Sequence, residues 1–207
     1  MVSSPVTLHY FYIEGMPSTV ALGENLNLLL KDSGVEYTYL RHKGDEWVSI
    51  KQDISKKVAH PTMPFIELDG KVYNKTVPTM RYFSKKLGKY LPANDDDQYT
   101  LEVAADVVRD HHSTMSPLFR CEDEEKWKEH FEKDTTKYLN AYESIYQQNE
   151  GPYILGEEIT YADFLVYHIL QDDRALKHVQ GYPHLAKFVE AFSQRPNLAA
   201  YIASLDQ

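Results

Sequence analysis

Cysteine is almost missing from this chain: Cys121 is the one thiol in 207 residues. A lone cysteine excludes an intramolecular disulfide framework and fits a reducing compartment. Long apolar runs are missing too, and none approaches the roughly 20 residues a helix needs to cross a bilayer. The opening Met1-Val2-Ser3-Ser4-Pro5 has neither the basic start nor the apolar core of a secretory signal. A cytoplasmic location without membrane partners is therefore expected. Positive charge is scarce, with 22 Lys and Arg against 31 Asp and Glu and a net charge of -9. Binding a phosphate backbone takes a basic face, so nucleic acid is not expected as a partner. What is present suits a soluble globular protein: 43% hydrophobic and 26% charged residues. The length makes one large domain or two small ones with a proper core.

Residues 6–12 are β-branched and aromatic and read as a first strand, broken by the loop residues Glu14-Gly15-Met16-Pro17-Ser18. A helix is predicted over 25–32, closed by Ser33-Gly34, and a second strand over 35–40. This order fits a right-handed βαβ crossover. Phe65, Ile66 and Leu68 form a further strand, Asp69-Gly70 a tight turn, and Lys71-Val72-Tyr73 the returning strand. The run 77–83 then reads as a helix with Pro78 in its first turn, where a missing N–H costs nothing.

The second half changes character. Residues 91–97 are a linker by composition, with an acidic triplet at a helix start. Leu101, Val103, Ala104, Val107 and Val108 then repeat at the 3.6-residue period, and a second long helix is predicted over 124–148. Thr160 and Asp163 have the spacing of a capping box that opens an apolar helix, a folding signal rather than a catalytic one. The shift from α/β to all-α marks a boundary near residues 84–97. His111-His112 has no carboxylate or cysteine at metal-ligand spacing. The pair is expected to be exposed on its helix, and no metal is expected. His42 and Lys43 are expected in solvated loop.

Several stretches together resemble the cytosolic glutathione transferases of the tyrosine type, with the sigma class as the nearest likeness. They are Leu8-His9-Tyr10-Phe11, the run from Asp45 to Lys51 around Trp47, Met63-Pro64 before a strand, Lys75-Thr76 before a helix, and the Thr160–Asp163 box. The resemblance implies a thioredoxin-like α/β domain over 1–84, a linker over 85–97 and an all-α domain over 98–207. It further implies that Tyr10 is catalytic and that glutathione is the co-substrate. Trp47 and Lys51 would hold the glycyl carboxylate, Met63 before a cis Pro64 the cysteinyl backbone, and Lys75 and Thr76 the γ-glutamyl carboxylate. Asp106 would face the γ-glutamyl amine across a homodimer. Tyr12, Arg109 and Ser113 would wall a pocket for a hydrophobic electrophile. Two departures stand out: Lys75 replaces a glutamine, and about half a dozen extra residues precede Leu22-Gly23-Glu24-Asn25, where the family arginine is absent.

The chemistry agrees with that assignment. A free thiol with a pKa of roughly 8.5 is mostly protonated at neutral pH. A phenol donating to the sulfur favours the thiolate, and lowering the thiol pKa by about two units takes roughly 2.7 kcal/mol. Tyr12, at the same strand parity as Tyr10, could do the same. The function expected is conjugation of the glutathione thiolate to hydrophobic electrophiles, or isomerisation with glutathione as cofactor. The alternative is an interaction protein that keeps the fold without turnover. A thiol-disulfide oxidoreductase would need a cysteine at the first strand-helix junction, and there is none.

Overall fold

The computed structural model describes residues 5–205, and its first element, β1 (Val6–Phe11), lies inside a four-stranded sheet. The strand order is β2-β1-β3-β4, with β1 parallel to β2 (Tyr37–His42) and antiparallel to β3 (Phe65–Leu68). A parallel neighbour requires a crossover, here α1 (Gly23–Ser33), which ends on Gly34 in the left-handed region at φ 74°. The return from β3 to β4 (Lys71–Asn74) passes through Asp69 at φ 51° and Gly70 at φ 71°. Two successive positive φ angles are what a two-residue hairpin with right-handed strand twist demands, and Asp-Gly supplies them. The Met63–Pro64 bond ahead of β3 is cis. Two further helices, α2 (Trp47–Ile54) and α3 (Thr76–Leu87), complete this part.

β1 stops at Phe11, one residue short of the predicted end, and Tyr12 lies outside it with its side chain 53% exposed. Tyr12 therefore does not share a strand face with Tyr10. β2 sits two residues later than its alternating pattern suggested, so His42 is a strand residue paired with Phe11 rather than solvated loop. The cause is tertiary: pairing with the buried β1 outweighs the local preference of Val35 and Glu36.

The chain folds as two compact units. One runs through Lys89 and takes in Pro196–Leu198; the other holds Tyr90–Arg195 and the chain from Ala199 on. The returning segment is tied to its unit by Asn197, whose Nδ2 donates to the Asp32 carbonyl at 2.8 Å.

The second unit is helical. α4 (Asp95–Met115) starts from Asn94, whose side chain accepts from the Asp97 N–H at 2.8 Å. The single helix expected over 124–148 is instead α5 (Glu124–His130) and α6 (Thr136–Tyr146), joined by a π-helical turn at Phe131–Thr135. α7 (Tyr161–Asp172), α8 (Pro183–Ser193) and α9 (Ala199–Leu205) follow. Aromatic stacking fills the core, with Tyr146 on Phe188 at 4.4 Å and Tyr167 on Phe192 at 4.1 Å.

The start of α7 is organised by Asp163, a fully buried carboxylate. One oxygen accepts from the Thr160 N–H and hydroxyl, both at 2.7 Å. The other accepts from the Ile154 N–H at 3.1 Å and the Tyr146 hydroxyl at 3.0 Å. The loop before it is pinned by a reciprocal backbone pair between Tyr153 and Gly156, each at 2.9 Å. Gly151 packs so closely on the Gly156 backbone that any Cβ would overlap it. Glycine is obligatory there for space, not for φ.

Candidate functional site

Tyr10 is the last buried residue of β1, 6% exposed, and its ring lies over the first residue of α1. A Cβ on Gly23 would land on the Tyr10 ring and 2.7 Å from the Tyr39 hydroxyl. Helix and strand can meet this closely only because position 23 has no side chain. The neighbouring strand residues point to the opposite face. His9 stacks on Phe65 at 4.3 Å, and Phe11 meets Trp47 edge-on at 5.7 Å. Trp47 and Met63 pack on the same cluster of Ile54, Phe65 and Val72. Trp47, Met63 and cis Pro64 thus share one neighbourhood. Lys51 is exposed one turn beyond Trp47 on α2.

Lys75 precedes α3 with φ 69°, an uncommon conformation for a residue with a side chain. It turns the chain so that Thr76 opens the helix, where N–H groups carry the positive end of the dipole. Both Lys75 and Thr76 are accessible. The two cations Lys51 and Lys75 and the hydroxyl of Thr76 therefore belong to the unit that carries Tyr10.

His9 and His42 were not singled out by the sequence as site residues. His9 Nδ1 and His42 Nε2 are 2.9 Å apart, and the His9 Nε2 faces Glu67 at 3.7 Å. Burial, opposed by Glu67 and reinforced by His42, pulls the His9 pKa down to about 4. His9 is neutral at physiological pH.

In the helical unit, Asp106, Arg109 and Ser113 lie on the exposed side of α4. Asp106 and Arg109 pair at 3.4 Å, both mostly exposed, an arrangement worth at most about 1 kcal/mol. The Ser113 hydroxyl donates back to the Asp110 carbonyl at 2.6 Å.

The adjacent histidines correct an expectation. His111 is fully buried rather than exposed, and it does have a carboxylate: its Nε2 is 2.8 Å from Asp173 Oδ2. Asp173 is 62 positions away, so no spacing rule could pair them. The other Asp173 oxygen meets His130 Nε2 at 2.8 Å, while Tyr142 OH takes His111 Nδ1 at 3.1 Å. The π-helical turn brings Asp134 within 3.5 Å of His130 Nδ1. Two imidazoles and a carboxylate with ligand atoms within 4.8 Å of one another could in principle hold a divalent cation. Here both Nε2 atoms donate protons to Asp173, and both Nδ1 atoms have partners of their own. The arrangement is a satisfied buried ion network.

Burial alone would lower the His130 pKa, but Asp173 and Asp134 outweigh it and raise it. Burial would raise the Asp173 pKa, but hydrogen bonds from His111 and His130 outweigh it and lower it. The His130 contribution to stability is full below its unfolded value of about 6.5 and is lost as pH rises through the raised folded value. The Asp173 contribution is present above about 3.9 and is lost as pH falls through the depressed one. Asp173→Asn is expected to cost roughly 3 kcal/mol near pH 5 to 6, because it leaves buried imidazoles facing an amide. The cost should shrink on either side of that window. Urea unfolding of both proteins across pH 4 to 9 checks this; a flat difference would contradict the network.

Known proteins resemble this chain in sequence and in fold. Residues 109–205 match the family described as the glutathione S-transferase C-terminal domain. The chain is 28% identical over 203 residues to glutathione S-transferase P 10 of Caenorhabditis elegans, covering 94% of this chain and 89% of that one. It is 26% identical over 201 residues to glutathione S-transferase P 1 of Xenopus laevis, covering 95% and 91%. Both names carry the letter P, so the narrower likeness to the sigma class is not confirmed. Among solved structures, the Pi-class glutathione S-transferase of Onchocerca volvulus has the same fold, with a TM-score of 0.82 at 21% identity over 97% of this chain and 93% of that one. Over nearly its whole length the chain is similar in sequence to glutathione S-transferases, and its second half matches the C-terminal domain of that family.

Proposed function

We propose that the protein is a glutathione transferase that joins the glutathione thiolate to small hydrophobic electrophiles. The observation that carries this is the placement of Tyr10. It is the last buried residue of β1 and lies against the opening of α1, in the same unit as the Trp47–Lys51 helix and the cis Pro64. In this reading the Tyr10 phenol donates to the glutathione sulfur and favours its charged form. Lys51 and Trp47 receive the glycyl carboxylate, Met63 offers its backbone, and Lys75 and Thr76 receive the γ-glutamyl carboxylate at the start of α3, where the helix dipole favours an anion. Asp106 serves the γ-glutamyl ammonium, and Tyr12, Arg109 and Ser113 line the electrophile pocket. A homodimer is supported by apolar surface left open on each unit. Tyr99 is 71% and Val103 42% exposed on α4, and Tyr82 is 40% exposed on α3. Among the described residues no helix is long and apolar enough to cross a membrane, and the single thiol fits a cytoplasmic setting.

The test is a glutathione titration at neutral pH followed by calorimetry, with Lys51→Met beside the wild type. Removing a charge-assisted hydrogen bond of about 1.5–3 kcal/mol should weaken binding about 10- to 100-fold. Equal affinity in the two proteins would remove Lys51 from the site. Absence of binding in the wild type would favour the second reading, an interaction protein with a transferase fold. Lys75 in the place of an amide and the long segment between β1 and α1 are the features that point that way.

A further inference from the structure

Arg41 has no role in the site as described, yet it joins three parts of the first unit. Its Nε donates to the Phe11 carbonyl at 2.8 Å, and its Nη1 donates to the Ser18 carbonyl and to the Tyr39 hydroxyl, the latter at 3.3 Å. Phe11 ends β1, and Ser18 lies in the extra stretch that leads to α1. One guanidinium therefore fastens both ends of the 12–18 segment. The same group stands 5.7 Å from the centre of the Tyr10 ring and 5.1 Å from that of Tyr39. Strand register explains the meeting, because Arg41 is the direct partner of Tyr10 across β1 and β2.

The chemistry requires arginine. Three acceptors in different directions suit a planar fork with several N–H donors, and a lysine ammonium cannot reproduce that geometry. Glu24 of α1 is an anion whose field reaches this corner. Burial foremost pushes the Tyr39 phenol well above the ordinary tyrosine value, with Glu24 adding to the rise and Arg41 opposing it. Arg41 and Glu24 thus act in opposite senses on the phenol of Tyr39, beside Tyr10.

We infer that Arg41 is the positioning residue of the proposed reaction, holding the 12–18 segment closed on the strands and setting the electrostatic surroundings of Tyr10 so that a bound thiolate is favoured. This rests on the reading of Tyr10 as the thiolate donor. The guanidinium is 5.7 Å from the Tyr10 ring centre, and a sulfur beyond the phenol oxygen lies farther off; a unit charge about 10 Å away in an effective dielectric of about 20 corresponds to about one pKa unit.

The experiment compares wild type, Arg41→Met and Arg41→Lys by two readouts. The first is the pH profile of the thiolate absorbance of bound glutathione. Arg41→Met should raise the midpoint by about one unit and leave the glutathione Kd within a few-fold, and Arg41→Lys should recover part of the shift. The second is hydrogen exchange of the 12–18 amides, which should accelerate in both variants. An unchanged midpoint in Arg41→Met, or unchanged exchange in Arg41→Lys, overturns the inference. If Arg41→Met fails to fold, Arg41→Lys decides alone through the exchange readout. A wild type with no thiolate signal at all sinks the transferase reading first and this inference with it, and that outcome is visible before any variant is made.

Discussion

Tyr10→Phe is expected to raise the pKa of the bound glutathione thiol by about two units, so that the thiolate signal at neutral pH falls by more than tenfold. The corresponding loss in kcat/KM is roughly 100-fold, the equivalent of about 2.7 kcal/mol. The phenol is suited to this because its ring is immobilised. It is 6% exposed and lies between the Gly23 backbone and the Arg41 guanidinium. A donor held in place before the substrate arrives need not be ordered at the moment of reaction. The variant should keep its fold and its affinity for glutathione, since phenylalanine retains the packing and the carboxylate contacts lie elsewhere. Stopped titrations of thiolate absorbance and steady-state conjugation rates, taken side by side, check this. Full thiolate formation in Tyr10→Phe would remove the phenol from the mechanism. Tyr12, exposed and outside β1, would then be the next donor to replace.

The largest structural effect is expected at Asp163. Asp163→Ala strips four donors of their acceptor in a dry core: the Thr160 N–H and hydroxyl, the Ile154 N–H and the Tyr146 hydroxyl. Each unsatisfied buried group costs about 1–3 kcal/mol, and partial relaxation brings the expected total to about 4–6 kcal/mol. Against a typical domain stability of about 5–15 kcal/mol, that leaves the helical unit marginal or unfolded. Asp163→Asn keeps acceptor capacity on one oxygen and should lose roughly half as much. Trp127, buried in this unit, reports its unfolding in urea once Trp47 is replaced by phenylalanine. A midpoint for Asp163→Ala close to that of the wild type would mean that the loop before α7 finds other partners.

A milder consequence of the same physics is the pH response of the Asp173 network. His9 works in the opposite sense to His130: its folded pKa near 4 lies below the unfolded value of about 6.5. Its contribution is therefore complete above about 6.5 and is lost as pH falls toward 4. Acid weakens the sheet unit through His9 while the His130 contact in the helical unit is still at full strength.

Much of the local structure around the candidate site was legible in the sequence because its signals are local. Asp69-Gly70 announces a hairpin through the backbone angles those two residues tolerate, and the structure has both at positive φ. Thr160 and Asp163 announce a helix start through hydrogen bonds that close within three residues. Trp47 and Lys51 fall one turn apart on α2 as their spacing suggested.

Other features had no local signal. The π-helical turn that splits the helix expected over 124–148 follows from partners elsewhere in the unit, because the Asp134 and His130 it brings together gain their value only beside Asp173. His111 looked exposed because its carboxylate lies 62 positions later. Arg41 passed unnoticed because its meeting with Tyr10 depends on the register of two parallel strands, which periodicity alone leaves open. By itself, the sequence determined the turns, the caps and the order of elements, since backbone sterics and short-range hydrogen bonds act within a few residues. Only the tertiary structure decided which charges meet in the core and what stands beside Tyr10, because those contacts are set by packing between segments far apart in the chain.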